Sequence, residues 1–149
     1  MISMQELNPN NYPTDDATQA NLNHLLDQMN AVRTAYGIPM IVNSGLRTQA
    51  DQERINPSAP KSKHILGMAA DINDKDGSLW TWVLTNLPLM KQLGMYFEHP
   101  NWTHHSDGHG WVHFQTCPPG SGKRIFIPSP TPALAPDFWD GDYDHSFDD

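Results

Sequence analysis

The chain has 149 residues, 38% of them hydrophobic and 17% charged, with a formal net charge of −8. That length suits one domain whose core needs neither disulfides nor a structural metal. Six of the 17 acidic residues fall in 137–149, leaving 11 acidic against 9 basic, a body near −2 without the concentrated basic patch a nucleic-acid surface needs. The lone Cys117 has no internal partner, suits a reducing compartment, and stands beside Pro118 and Pro119 in no reactive motif. Residues 1–13 lack the basic and apolar regions of a signal peptide. No run approaches the roughly 18 apolar residues that span a bilayer, so membrane insertion is not expected.

Residues 14–36 predict the clearest helix, because Leu22, Leu25, Leu26, Met29 and Val32 form one apolar stripe. Thr14 or Asp16 is its expected cap and Gly37 its stop. A strand is expected over 38–42, then a short helix started by Ser44 or Thr48 and halted before Pro57. A loop leads to a strand over 68–72, and a helix opening at 76–78 runs through Trp80, Val83, Leu84 and Leu87, restarts at Pro88 and ends at Gly94. Strands follow at 95–99 and 111–115, separated by the polar loop 100–110, and a weaker one at 124–128 forms a terminal hairpin with 111–115. Loose alternation of this kind predicts α+β, a small antiparallel sheet with flanking helices. Residues 1–128 read as the folded domain and 129–149 as a proline-rich, then acidic tail.

Chemistry concentrates in two stretches, 62–74 and 111–115. On a strand at 111–115, Val112 and Phe114 face the core while Trp111, His113 and Gln115 share the other face. His64, Asp71 and His113 together offer two nitrogens and a carboxylate oxygen, enough protein ligands for a catalytic zinc. Gly67 allows the turn that brings His64 over the strand bearing Asp71, and the small Ala69 leaves room beside it. Strand histidines and aspartates also often do no more than hydrogen-bond to neighbours, and chemistry alone leaves that alternative open. Trp80 and Trp82 are expected in the core; together with Trp102 and Trp111 they are also candidates for a substrate wall.

The segments 44–48 (SGLRT), 62–71 (SKHILGMAAD) and 111–114 (WVHF), in this order and separation, resemble the zinc D-alanyl-D-alanine carboxypeptidases and L-alanyl-D-glutamate endopeptidases. These bacterial and phage enzymes share a fold with the Hedgehog signalling domain. The resemblance runs from about residue 20 to 116, and Ser62, His64, Gly67, Ala69 and Asp71 all match its S-x-H-x-x-G-x-A-x-D string. It implies Zn2+ held by His64, Asp71 and His113. It also implies an Arg47 that contacts substrate near the scissile carbonyl, suited to a developing oxyanion or a terminal carboxylate. Ser62 is expected to hydrogen-bond within the site loop, and His109 and Trp111 to border the substrate.

One departure matters. Many members carry an acidic general base three residues before the last zinc histidine, and here that position is Gly110. Asp107, six residues before His113, is the first candidate to replace it and Glu98 the second, with His104, His105 and His109 behind them. The resemblance then implies a zinc metallopeptidase that cleaves a stem-peptide bond of bacterial peptidoglycan. Its expected setting is a phage endolysin, held in the host cytoplasm until a holin releases it, or a virion-associated lysin docked to virion proteins through its tail. The missing acid at 110 leaves an alternative: a zinc-binding but non-catalytic structural or wall-binding virion component.

Overall fold

The computed structural model describes residues 1–55, 57 and 62–128. It opens with a helix that periodicity does not reveal, Met4–Leu7 (α1). Four residues cannot display an apolar stripe, but Ser3 and Glu6 form a reciprocal capping box, with Glu6 N–H donating to Ser3 Oγ and Ser3 N–H to Glu6 Oε1. The long helix is Asp16–Tyr36 (α2), burying Leu22, Leu25, Met29 and Val32. Its cap is Asp15, which accepts from Thr18 N–H, rather than Thr14 or Asp16; the Thr14 hydroxyl is turned to Gln19. Gly37 ends it at φ 78°, a left-handed conformation that glycine adopts without steric cost.

The strand expected over 38–42 forms later, at Val42–Ser44 (β1). Pro39 has no N–H to contribute to a ladder, and Ile38 and Ile41 on either side of it face solvent. Gln49–Ile55 (α3) follows, started by Thr48, whose hydroxyl accepts from Asp51 N–H. Ala69–Asn73 is β2. The next helical stretch divides at Asn86 into Ser78–Thr85 (α4) and Leu87–Gln92 (α5), with Pro88 in the first turn of α5 where its missing N–H costs nothing. Tyr96–Glu98 (β3), Trp111–Gln115 (β4) and Ile125–Phe126 (β5) complete the described elements.

The five strands form one sheet in the order β1-β2-β4-β3-β5, within an α+β arrangement. Pairing is antiparallel from β1 to β3, but β5 lies parallel to β3, so the sheet is mixed at one edge. The expected hairpin between β4 and β5 therefore does not form. Both edges of β4 are already taken, by β2 and β3, so the returning chain pairs at the free edge of β3, where Phe97 N–H donates to Arg124 O.

Strand alternation divides the sheet's two faces. Ala70, Ile72, Val112, Phe114 and Phe97 join one buried cluster with the apolar stripe of α2, and the rings of Phe97 and Phe114 meet edge-on at 5.1 Å. The register Asp71↔His113 then sets those two side chains together on the opposite face. Trp80 and Trp82 belong to the core as expected, Trp80 against Phe97 and Trp82 against Tyr36, while Trp102 is exposed. No helix among the described residues is long and apolar enough to cross a membrane. The tail expected over 129–149 lies outside the described residues.

Candidate metal centre

The three residues singled out in the sequence converge. One ligand atom each from His64, Asp71 and His113 lie within 4.8 Å of one another, and all three side chains are buried. Asp71 Oδ1 is 2.9 Å from His113 Nδ1, and its Oδ2 is 3.3 Å from His64 Nε2. Local packing fixes His64. Gly67, at φ 72°, turns the loop with its α-carbon so close to Leu22 that a side chain there would collide. Ser62 Oγ accepts from His64 N–H, and His64 O accepts from Arg47 N–H, joining the loop to the segment after β1.

The far nitrogen of each ring is equally constrained. His64 Nδ1 lies 2.8 Å from the carbonyl oxygen of Gly45, which only accepts, so Nδ1 donates there and Nε2 is the atom that faces Asp71. His113 Nε2 lies 2.9 Å from Gln115 Oε1. The Gln115 amide cannot be reversed there, because its nitrogen donates to the Cys117 carbonyl. His113 Nε2 is thereby the protonated atom, and Nδ1 is left to face Asp71. Two imidazole nitrogens and a carboxylate oxygen directed at one point are, once His113 gives up its proton, the donor set a zinc ion takes, so the residues present fit that group.

Arg47 completes the floor. Its Nη2 is 3.3 Å from Asp71 Oδ2, its Nε donates to Ser44 Oγ at 2.9 Å, and its Nη1 donates to Gln52 Oε1 at 2.9 Å. Burial alone would raise the Asp71 carboxyl, but the adjacent His64 and His113 hold it far below the usual carboxylate range. Burial would lower His113, yet the carboxylates of Glu98 and Asp71 outweigh it and push the imidazole up to about 9. The Cys117 thiol is pushed up by burial, as befits an inert cysteine.

The base candidates stand apart. Glu98, at the end of β3, brings Oε1 to 3.8 Å from His113 Nδ1 with its side chain a quarter exposed. Asp107 is 65% exposed and bonded instead to His109, at 3.0 Å from its Nδ1 and 3.0 Å from its backbone N–H. Those bonds lower the Asp107 carboxyl, which weakens it as a proton acceptor. His104 is committed to Asp74 at 2.8 Å and to the Thr103 hydroxyl. His105 lies against the ring of Trp111 at 5.4 Å. Gly110 is packed so tightly that a Cβ would stand 2.6 Å from the Asp74 carbonyl, which explains why no acid occupies that position.

The supporting residues Gln115, Gly45 and Gln52 escape a reading of motifs. Gln115 leaves a signal, since it shares a strand face with His113 two residues away, whereas a backbone carbonyl such as that of Gly45 leaves none.

The model of the family described as Peptidase M15 matches residues 2–106, about two thirds of the chain. The chain belongs to the peptidase M15 family. The matched region contains Arg47, Ser62, His64, Asp71 and Glu98, and ends before Asp107, His109, Trp111 and His113. Among solved structures, Serratia marcescens L-Ala D-Glu endopeptidase ChiX is similar at 19% identity and a TM-score of 0.41, over 68% of this chain and 87% of that one. Comparison with curated proteins gives no match.

Proposed function

We propose that this member of the family is a zinc-dependent peptidase that cleaves a peptide bond in the stem peptide of bacterial peptidoglycan. The observation that carries the reading is the buried convergence of His64, Asp71 and His113, with the outer nitrogen of each ring held by a neighbour so that the inner one faces the other two side chains. A zinc ion held there supplies a Lewis acid for the scissile carbonyl and for the attacking water. The substrate class rests on the S-x-H-x-x-G-x-A-x-D string and on family membership.

The chain's own residues divide the remaining work. Arg47, engaged by Asp71, Ser44 and Gln52, holds the Asp71 carboxylate in place, a positioning role more than direct stabilisation of an oxyanion. Glu98 is assigned as the general base: its carboxylate borders the site at His113, whereas Asp107 is turned to His109. Glu98 accepts the proton of the attacking water and returns it to the leaving amine. Digestion of purified peptidoglycan by the zinc-loaded protein, with muropeptides identified by mass spectrometry, tests the reading. New peptide ends that vanish with chelator and fall steeply in Glu98→Gln are expected. Zinc binding without any cleavage would favour a non-catalytic wall-binding or structural role, to which the absent acid at 110 is the pointer.

A further inference from the structure

The sheet face that carries the metal-ligand group continues past it. Two residues along each strand from Asp71 and His113 stand Asn73 and Trp111, which are themselves register partners. Side chains two apart on a strand share a face and lie roughly 7 Å apart, about the span of two residues of an extended peptide. Asn73 and Trp111 line an open cleft of about 670 Å³, together with Asn43, Lys75, His105 and Asp107. That volume lies within the usual range of roughly 300–1,000 Å³ for ligand sites.

The far wall of the cleft is preformed. His105 N–H donates to His109 O and Gly108 N–H to His105 O, closing the turn on itself, and a bridge between His104 and Gly110 ties its base. His104 is in turn pinned to the buried Asp74. Lys75 enters this cleft exposed and forms no ion pair among the described residues. The acids around it are engaged elsewhere: Asp74 by the start of α4 and by His104, Asp76 by Ser78, and Asp107 by His109. The cleft thus pairs an aromatic ring and two carboxamides with one cation that stands in no ion pair, alongside an Asp107 carboxylate held by its own loop.

We propose that this cleft is a substrate subsite for a carboxylate-bearing residue of the peptide, with Lys75 as the counter-ion and Asn43 and Asn73 hydrogen-bonding the backbone that crosses the sheet. The proposal rests on the peptidase reading for the identity of the ligand, but binding can be measured without turnover. The probes are two capped peptides of L-Ala and D-Glu or D-Gln, identical except that the side chain is a free carboxylate or its amide. Each is titrated by heteronuclear NMR into the zinc-free full-length protein. The carboxylate peptide is expected to bind about two- to fivefold more tightly than the amide, the range of an exposed ion pair, with the largest shifts at Asn73 and Trp111. Lys75→Met should erase the preference and Lys75→Glu reverse it, with no loss of fold because Lys75 is exposed. Equal binding of the two peptides, a preference that survives Lys75→Met, shifts mapping outside the cleft, or no binding of either peptide would each overturn the subsite. Peptidoglycan cleavage by the zinc-loaded wild type is scored separately. Cleavage with KM unchanged in Lys75→Met sinks the subsite alone, and binding in the cleft without cleavage sinks the peptidase reading alone.

Discussion

At the scale of single residues, Gln115 shows how little of a metal centre lies in its ligands. Replacing it by Leu keeps the volume but removes the acceptor that fixes the His113 ring. Loss of such a partner typically weakens metal binding by about 10- to 100-fold, so competition titration of Gln115→Leu should show zinc affinity reduced by that factor with the fold intact. An unchanged affinity would mean that the register of β4 alone orients His113. The titration of His113 supplies a second expectation. Its folded value, about 9, stands above its ordinary 6.5, so its contribution to the stability of the zinc-free protein is complete below about 6.5 and is lost as pH rises through 9. Asp71 is shifted the opposite way, and its contribution is present above the ordinary carboxylate range and lost as pH falls below it. Denaturant melts of the zinc-free protein should therefore show greatest stability between about pH 4 and 6.5 from this pair, with the alkaline loss absent in His113→Ala. Zinc binding, by contrast, must displace the His113 proton, so apparent affinity should rise up to tenfold per pH unit until about pH 9. The convergence of His64, Asp71 and His113 was legible in the sequence chiefly through the resemblance carried by residues 62–71 and 111–114, with strand parity in support. The proposed base was less so: Asp107 has the nearer sequence position, but it is bonded to His109 in its own loop, and only strand order brings Glu98 beside His113.

At the scale of elements, the segment from β2 to β4 is held by one buried carboxylate. Asp74 accepts from the backbone N–H groups of Leu79 and Trp80, capping α4 from outside the helix, and binds His104 of the following loop. Gly77, the residue at the cap position itself, has no side chain to do this, which hides the device from a search for Ser, Thr, Asp or Asn immediately before the helix. Asp74→Ala should cost about 2–4 kcal/mol, from two helix donors and a histidine left without their acceptor. A change under about 0.5 kcal/mol in a denaturant midpoint would show that water replaces it without penalty. Gly110→Ala, whose Cβ meets backbone at 2.6 Å, should destabilise by about 1–3 kcal/mol. For the same reason Gly110→Asp should not restore a base at the position where the resemblance would place one. Periodicity located α2, which buries one apolar stripe, while cap, stop and strand signals placed α3, β2 and β4 to within a few residues. It missed α1, too short for a stripe, and misplaced β5, because pairing depends on which strand edges remain free and no local pattern encodes that.

At the scale of the whole molecule, the elements that build the centre are scattered: Arg47 follows β1, His64 sits in a loop, Asp71 is on β2, Glu98 on β3 and His113 on β4. Deletion of the acidic tail, 129–149, is expected to leave zinc content and peptidoglycan hydrolysis intact while abolishing any virion association; lost zinc in that variant would assign the tail to the core. A metal held by side chains from three separate segments binds the folded chain and not the unfolded one, and should therefore act as a staple on the entire domain. At free zinc about 100 to 1,000 times its dissociation constant, linkage adds about 2.7–4.1 kcal/mol. For a chain of this size each kcal/mol moves the melting temperature by about 2–4 °C, so chelation should lower Tm by about 5–16 °C. His64→Ala, which removes one ligand, should start from the lower Tm and show little further change with chelator. If chelator leaves the wild-type Tm unmoved while elemental analysis finds no zinc in either protein, the three buried side chains are a hydrogen-bonded cluster and not a metal centre, and the peptidase reading falls with them.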